Sequence, residues 1–315
     1  MEKSKEYDIS FIIPCYKSEK TIVHVIDEIS ETAEKMSIFD YEIICVDDCS
    51  PDDVYRKLVE IATTDTHLKV IRFSRNFGQH AGMIAGVQHS KGKVCVFLDD
   101  DGQCPLDKLD NLLQPLDAGY DVAMASYGKK KQSKFKNVGS RFNAIVANIL
   151  IDKPKDIQMT NFIALKRFVA DEISRYHGPY PYISGLLFRS SAKVINVPME
   201  ERTRMAGGTT YTLRKLVALW VNSFTAFSIK PLRIATIIGG GASIIGVIVA
   251  VITVIRKLMN PAITTGWSST ISVILVLGGL ILFVLGIIGE YVGRIYMSIN
   301  ETPQYVIAET CNIDQ

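Results

Sequence analysis

The chain has 315 residues, with 35 lysines and arginines against 33 aspartates and glutamates, so its formal net charge at pH 7 is +2. This length allows one large domain and a smaller appendage and excludes a transporter of many helices, and the balanced charge gives no reason to expect a nucleic-acid partner. Charged residues are dense up to about Arg233 and nearly absent from there to Glu290, which indicates a soluble part followed by a membrane part.

Five short apolar runs, separated by amphipathic stretches, occupy the first part of the chain. They are Ile9 to Ile13, Ile43 to Val46, Val70 to Phe73, Val94 to Leu98 and Val122 to Ala125. Strands that alternate with helices predict a mostly parallel α/β sheet covered by helices on both faces. Because ligands bind beyond the carboxyl ends of such strands, we expect the polar residues after the first four runs to meet at one edge.

The six cysteines form no CxxC pair, and several lie inside apolar runs, where a reduced thiol behaves as a small hydrophobic group. We expect no disulfide and no zinc site. Cys45 and Cys49 could ligate a metal in principle, but no second Cys/His pair lies nearby in the sequence.

Two carboxylates, Asp47 and Asp48, end the second run. Ser50 is a plausible N-cap ahead of Pro51 at the first helical position, which explains those two residues structurally. The aspartates have no such explanation, and one of them is a candidate to accept hydrogen bonds from the base or ribose of a nucleotide.

The third run leads into the segment Asn76-Phe-Gly-Gln-His80-Ala-Gly, which joins a strand to a helix. Its glycines allow the backbone to approach a ligand closely. His80 is a candidate for catalysis, although a single histidine in this setting is more often structural.

Three adjacent carboxylates, Asp99, Asp100 and Asp101, follow the fourth run. Neighbouring carboxylates repel each other unless a cation neutralises them. Hard oxygen ligands suit Mg²⁺ or Mn²⁺, and such an ion would also bind a diphosphate and stabilise a departing nucleotide. The alternatives are a solvated acidic turn and the acidic motif of an ATPase, but the chain has no GxxxxGK[ST] loop.

The densest basic run extends from Lys129 to Lys136. On an isolated soluble domain we would interpret it as a surface loop without function. Beside a membrane segment the interpretation changes, because each basic residue near an anionic leaflet contributes about 1 kcal/mol of attraction.

Two long apolar segments follow, Ile234 to Ile255 and Ile271 to Ile288. The first carries no charge and would measure about 33 Å as a helix, enough to cross a hydrocarbon core. The alternative is two buried helices of a soluble protein, but such helices are rarely apolar on every face over this length. We predict a transmembrane hairpin with helices at about 234–255 and 270–289.

Basic residues near the outer ends of this hairpin outnumber those in its connecting loop, which has Arg256 and Lys257. The positive-inside tendency therefore predicts cytoplasmic termini. The first apolar run is too short for a signal peptide, so we expect the large domain to stay in the cytoplasm. Glycines in both helices permit close helix contacts and a possible homo-oligomer.

The motifs together resemble the polyprenyl-phosphate glycosyltransferases of glycosyltransferase family 2, over nearly the whole chain. The matching segments are SFIIPCYKSEKTI, VDDCSPDD, RNFGQHAGMIAGV, FLDDDGQCP, RTRMAGGTTYT, KPLR, GEYVGRIY and PQYVI. The resemblance implies a GT-A (Rossmann-like) catalytic domain over residues 1–229, a transmembrane hairpin over 230–295 and a short cytoplasmic tail over 296–315. It also implies inverting transfer of a sugar, from a UDP-hexose by default, onto undecaprenyl phosphate at the cytoplasmic face of the inner membrane, for modification of cell-surface glycans.

The resemblance also assigns roles to residues. Asp99 and Asp101 would hold Mg²⁺ or Mn²⁺, and Asp101 and Asp156 would be catalytic. The nucleotide sugar would contact Pro14, Tyr16, Glu19, Asp47, Asp48, Asn76, Asp99, Asp100 and Gln103. The acceptor phosphate would contact Lys129, Lys131, Lys134, Arg141, Arg204, Thr209 and Tyr211, and arginine suits this task because its planar group binds phosphate oxygens in pairs.

Three positions depart from the family pattern: Asp100 replaces a small residue, Gly102 a leucine, and Asn161 an aspartate near the acceptor. Asp156 is the acidic residue nearest to Asn161 on its N-terminal side. A phosphate acceptor with a second pKa near ~6 is mostly ionised at neutral pH and needs no strong base. Asp156 would then orient the acceptor or a cation beside it.

Two other functions share some of these features. A processive polysaccharide synthase has a similar nucleotide-binding core but needs a channel of several helices and a Gln-x-x-Arg-Trp motif, which this sequence lacks. A non-catalytic scaffold or flippase component has no use for acidic strand ends that converge on one cleft, and two helices form a poor lipid path.

Overall fold

The computed structural model describes residues 7–128, 157–178, 181–203, 230–259 and 266–313. Its centre is an eight-stranded sheet with the order β7-β5-β6-β4-β1-β2-β3-β8. The strands are β1 (Tyr7–Cys15), β2 (Tyr41–Asp47), β3 (Leu68–Phe73), β4 (Gly92–Phe97), β5 (Val122–Tyr127), β6 (Ile163–Lys166), β7 (Val194–Met199) and β8 (Ile307–Cys311). All five apolar runs are strands, as the sequence predicts.

The directions of the strands decide where functional residues meet. β1 pairs in parallel with β2 and β4, β2 with β3, and β5 with β7, whereas β6 and β8 are antiparallel to their neighbours. Six of the eight strands therefore point the same way. Their carboxyl ends form one edge, which we call the carboxyl edge.

Helices cover both faces of the sheet. They are α1 (Ile22–Lys35), α2 (Val54–Ala62), α3 (Gln79–Gln88), α4 (Leu109–Asp117), α5 (Arg167–Ser174) and α6 (Ile183–Ser190). Phe11 and Ile13 pack with α1, α2 and α4, whereas Ile12 packs with α3, α5 and α6. This alternation explains why the run Phe11–Ile13 of β1 is apolar on both faces.

Helix α3 packs very close to β1. A Cβ atom added at Gly86 would lie 2.3 Å from Ile12 Cγ2, and one at Gly82 would lie 3.1 Å from Pro14 Cβ. The glycines thus allow the helix to lie against the strand, with its N-terminus at the carboxyl edge.

The predicted start of the second helix is wrong. α2 begins at Val54 and not at Pro51. Ser50 is not its N-cap, because its backbone N–H donates to Asp47 Oδ1 (2.9 Å) and its hydroxyl accepts the N–H of Lys17 (3.0 Å). Ser50 instead joins two loops at the carboxyl edge.

Two long helices, α7 (Lys230–Met259) and α8 (Trp267–Ile299), contact each other and extend beyond the predicted limits. Large apolar side chains such as Ile244 and Leu282 are exposed on them. Within the described residues, Val276–Ile299 is long and apolar enough to cross a membrane, and Ala235–Val249 is a shorter apolar stretch. An exposed apolar surface of this size is unfavourable in water and is typical of a surface that contacts a membrane or another protein.

The segment after α8 returns to the sheet. The sequence suggests a tail over 296–315, yet Ile307–Cys311 is β8, which pairs with β3. β6, β7 and β8 have weak apolar patterns, since β6 has four residues, β7 contains Pro198, and β8 is an exposed edge with the sequence IAETC.

The six cysteines are free thiols, four of them buried.

Candidate active site

The carboxyl edge brings together the ends of β1, β2, β3 and β4. The Tyr16 N–H donates to Asp100 Oδ2 at 2.9 Å, which links the first and fourth strand ends. The N–H groups of Phe77 and Gly78, in the loop after β3, donate to the two carboxylate oxygens of Asp48 at 2.6 and 2.8 Å. The predicted convergence of polar groups is therefore present in the structure.

Asp99 is oriented by two side-chain amides. Gln79 Nε2 donates to Asp99 Oδ1 at 2.8 Å, and Asn161 Nδ2 lies 3.1 and 3.2 Å from the two Asp99 oxygens. Burial raises the pKa of Asp99 to about 6, and the charges of Asp101 and Asp100 add to this, whereas the two amides lower it. Asn161 thus supports the carboxylate at the position where the family pattern has an aspartate, and the sequence reasoning missed Gln79.

Asp100 has a structural task. Its carboxylate accepts the Tyr16 N–H, and its backbone carbonyl accepts the hydroxyl of Thr21 at 2.6 Å. Burial raises its pKa, against hydrogen bonds that include the one from Tyr16. Asp100 therefore fixes the loop after β1, in which Tyr16 is 44% exposed.

Asp101 lies at the turn that leads away from β4. Its Oδ1 accepts the N–H of Gln103 at 3.1 Å, and Gly102 between them has φ +74°, a conformation that favours glycine. This geometry explains the glycine at position 102. Gln103 lies beside the Asp99–Asp101 pair, as the resemblance implies.

Gln103 also contacts the segment 201–203. Its Nε2 donates to the Arg202 carbonyl at 3.1 Å, while the Arg202 guanidinium pairs with Glu28 and Asp107, each at 2.5 Å. A cavity of about 1000 Å³ lies here, between Asp107, Tyr127 and Arg202. The segment 201–203 is therefore held next to the Asp101 turn.

Asp47 and Asp48 are both buried, and both already accept backbone hydrogen bonds. Burial raises the pKa of Asp48 to about 6, against the bonds from Phe77 and Gly78. Gly78 has φ +93°, which suits glycine at this turn. Asp47 lies 3.5 Å from the Arg72 Nε and its pKa is also raised by burial. The main role of both carboxylates in this structure is to hold the loops after β2 and β3 through these hydrogen bonds.

Three other predicted residues lie at the same edge. Pro14 is in β1, where it packs under α3. The Asn76 side chain donates to the Asp48 carbonyl at 3.3 Å. Glu19 accepts the Asp53 N–H and its own N–H donates to Asp52, both at 3.1 Å, so it connects the loops after β1 and β2.

His80 is a neutral side chain at physiological pH. Burial lowers its pKa to about 4, and its ring lies edge-on to Tyr182 with the centroids 5.2 Å apart. Its Nδ1 has no hydrogen-bond partner among the described residues. This geometry favours a structural role over general acid–base catalysis.

A divalent ion fits the Asp99–Asp101 pair. Across the described part of the chain, no three His, Cys, Asp or Glu side chains converge as a complete protein cage for a metal. Mg²⁺ in nucleotide sites is usually held by one or two carboxylates together with phosphate oxygens and water. A pair of carboxylates at a strand end is that kind of donor set.

The remaining predicted residues lie outside the described residues. They are Asp156, Lys129, Lys131, Lys134, Arg141, Arg204, Thr209 and Tyr211.

Comparison with known proteins agrees with this geometry. Residues 10–177 match the family model for glycosyl transferase family 2, and residues 230–295 match the GtrB C-terminal hairpin. An uncharacterized glycosyltransferase of Bacillus subtilis (strain 168), YkcC, is 32% identical over 314 residues, which cover 99% of this chain and 96% of that protein. The undecaprenyl-phosphate 4-deoxy-4-formamido-L-arabinose transferase of Proteus mirabilis (strain HI4320) is 26% identical over 312 residues, 97% and 94% of the two chains.

Solved structures show the same fold. The glucosyl-3-phosphoglycerate synthase of Mycobacterium tuberculosis, in complex with Mn²⁺, UDP-glucose and phosphoglyceric acid, has a TM-score of 0.51 and 18% identity, covering 68% of this chain and 75% of that one. The fold is therefore GT-A, as the sequence predicts. With more than half of its length in the family model, this chain belongs to glycosyl transferase family 2 and is a glycosyltransferase with a GtrB-type hairpin.

Proposed function

We propose that this glycosyltransferase moves a sugar from a nucleoside diphosphate sugar, a UDP-hexose by default, onto undecaprenyl phosphate at the cytoplasmic face of the inner membrane. The observation that carries the proposal is one chain that combines a GT-A carboxylate edge with a long apolar hairpin. The edge suits a nucleotide sugar, and the hairpin suits a lipid acceptor.

The acceptor is supported by the Proteus mirabilis relative, whose name gives undecaprenyl phosphate as the acceptor and which aligns with 97% of this chain. In this proposal the hairpin crosses the membrane twice, with residues 1–229 and the tail from 296 in the cytoplasm. Val276–Ile299 supports one of the two spans. The hairpin glycines would allow a homo-oligomer.

On the donor side, Asp99 and Asp101 would hold Mg²⁺ or Mn²⁺, which would neutralise charge on the departing nucleoside diphosphate. Gln79 and Asn161 orient Asp99, so that its carboxylate needs little rearrangement when the donor binds. The loop after β1, fixed by Asp100, would place Tyr16 against the nucleotide. Pro14, Glu19, Asp47, Asp48, Asn76 and Gln103 would shape the same donor site.

On the acceptor side, the phosphate oxygen would attack the anomeric carbon in line with the leaving group, which inverts the configuration. The acceptor is already ionised at neutral pH, so the chain needs to hold it in position more than to remove a proton. Lys129, Lys131, Lys134, Arg141, Arg204, Thr209 and Tyr211 would bind the phosphate or the anionic leaflet, and Asp156 would orient the acceptor.

The experiment is incubation of the purified protein with a panel of nucleotide sugars, Mg²⁺ or Mn²⁺, and undecaprenyl phosphate in vesicles. We expect one donor to give a lipid-linked sugar phosphate detected by mass spectrometry. Formation of a polysaccharide would favour a processive synthase, and the absence of any product with all donors would favour a scaffold.

A further inference from the structure

The segment after α8 makes specific contacts with the catalytic domain. Asn312 Nδ2 donates to the carbonyls of Ala62 (2.7 Å) and Leu68 (3.0 Å). The Tyr305 ring stacks on Phe73, with centroids 4.9 Å apart. These contacts fix β8 on both sides of its pairing with β3.

Glu309 in β8 contacts the guanidinium of Arg72 and the hydroxyl of Tyr55. Its Oε1 lies 3.0 Å from Arg72 Nη1, and its Oε2 accepts the hydroxyl of Tyr55 at 3.1 Å. The Arg72 guanidinium lies 4.6 Å from the Tyr55 ring centroid. Three side chains from β8, β3 and α2 thus hold one another in a single geometry.

Arg72 also faces Asp47 at the donor site. Its Nε lies 3.5 Å from Asp47 Oδ2, an oxygen that accepts no hydrogen bond from any described residue. Asp47 is fully buried, so its charge depends on the Arg72 guanidinium for compensation. Glu309 contacts Nη1 of the Arg72 guanidinium and Tyr55 packs against the same group, and these contacts keep the Arg72 Nε directed at Asp47.

From Asp47 the contacts continue to the loop after β1, which contains Tyr16 and Lys17. Asp47 Oδ1 accepts the Ser50 N–H (2.9 Å), and Ser50 Oγ accepts the Lys17 N–H (3.0 Å). Lys17 has φ +60°, a strained conformation for a lysine, which such a contact helps to maintain. Tyr16, its neighbour, is linked to Asp100.

We infer that Glu309 and Arg72 are positioning residues for the donor, because they hold Asp47, and through Ser50 the loop at Tyr16 and Lys17, in the shape that binds a nucleoside diphosphate. The C-terminal strand is then a part of the donor site. The inference rests on the proposed function, in which this edge binds a nucleotide sugar.

The test compares Glu309→Gln, Arg72→Gln and the double variant in full-length protein. UDP-glucose with Mn²⁺ is the probe, and its affinity is measured by calorimetry. We expect each single variant to bind about three- to tenfold more weakly, and the double variant to bind no more weakly than Arg72→Gln, since both act through one contact chain. Lys93→Gln, in the exposed pair with Asp8 (3.0 Å), is the matched control and should bind normally.

Hydrogen exchange separates positioning from a general loss of stability. The amides of Lys17 and Ser50 should exchange faster in the Glu309 and Arg72 variants, while amides in β4 keep their protection. Unchanged affinity and exchange in variants that lower only the melting temperature would overturn the inference, as would additive losses in the double variant. Failure of the wild-type protein to bind any nucleotide would instead count against the proposed function.

Discussion

At the scale of single residues, three adjacent carboxylates differ because their neighbours differ. Asp99 is oriented by side-chain amides, Asp100 by a backbone N–H of the loop after β1, and Asp101 by the backbone of its own turn. Asp99 and Asp101 are the two that suit a metal, whereas Asp100 stabilises a loop.

The first prediction separates these tasks. Asp99→Asn and Asp101→Asn keep the side-chain shape but remove a metal-binding charge, so turnover should fall at least about a hundredfold, or roughly 2.7 kcal/mol of transition-state stabilisation. Asp100→Asn is the matched control, because its amide oxygen can still accept the Tyr16 N–H, and its loss should be smaller. The measurement is the rate of sugar transfer at saturating donor. Full activity in EDTA, with both substitutions tolerated, would rule out the metal.

The second prediction concerns His80. Its pKa is about 4 in the folded protein and 6.5 as the ordinary value, so below pH 6.5 the unfolded chain binds a proton that the folded chain does not. As the pH drops from 7 to 5, His80 should therefore lower the free energy of unfolding by about 2 kcal/mol, whereas Asp48 and Asp99, whose pKa values are raised to about 6, raise it over the same range. His80→Phe keeps an aromatic ring against Tyr182 and removes only the His80 contribution, so its stability relative to the wild type should rise by about 2 kcal/mol between pH 7 and pH 5, as measured by urea unfolding, while transfer activity remains.

His24, which is exposed on α1, provides the control for the loss of a histidine, and His24→Gln should leave transfer activity as it is in the wild type. A His80→Phe protein that folds but transfers no sugar would show that the catalytic interpretation of His80 is right.

At the scale of elements, α3 connects packing to the site. It lies against β1 through Gly82 and Gly86, and it carries Gln79, which orients Asp99. Any shift of this helix therefore moves a side chain of the site.

The third prediction tests this packing. Gly86→Ala places a Cβ 2.3 Å from Ile12 Cγ2, so the variant should lose about 1–3 kcal/mol of stability through overpacking. Gly241→Ala in α7, where an added Cβ has open space, should change little. The measurement is thermal unfolding in detergent, and equal melting temperatures for both variants would contradict the close packing.

The sequence predicts the strands that are buried on both faces of the sheet. It misses the elements and side chains whose position depends on contacts with residues far away in the chain. The apolar runs within strands β1 to β5 have side chains on both faces of the sheet, so their pattern is clear, and the order of the strands places the acidic residues at one edge. Asn161 is 62 positions from Asp99, and β8 lies more than 230 positions from β3, so no local pattern reveals either contact. Ser50 follows a capping pattern but is used by a tertiary contact instead.

At the scale of the whole molecule, one chain leaves the catalytic domain, forms the apolar hairpin and returns to the sheet as β8. The hairpin and β8 are therefore separate parts of the chain, whose effects can be tested separately. A simple truncation before the hairpin removes both.

The fourth prediction keeps β8 while it removes the hairpin. Residues 234–299 are replaced by about 20 Gly/Ser residues, a flexible linker with a root-mean-square span of about 25 Å. This protein should bind UDP-glucose as the full chain does, but transfer to undecaprenyl phosphate in vesicles should fall at least about tenfold. Truncation after Arg233 is the comparison, because it also loses β8 and should bind the donor more weakly. Wild-type transfer rates without the hairpin would contradict a positioning role.

The central claim is that the acceptor is a membrane lipid phosphate, although the solved structures with this fold include enzymes named for phosphoglycerate products. The direct measurement offers both acceptors at once: undecaprenyl phosphate in vesicles and 3-phosphoglycerate in solution, with the active donor radiolabelled in its sugar. We predict that the label enters the lipid fraction, in a form released by mild acid, and that the aqueous acceptor stays unlabelled. Label on 3-phosphoglycerate, with none in the lipid, would contradict the account.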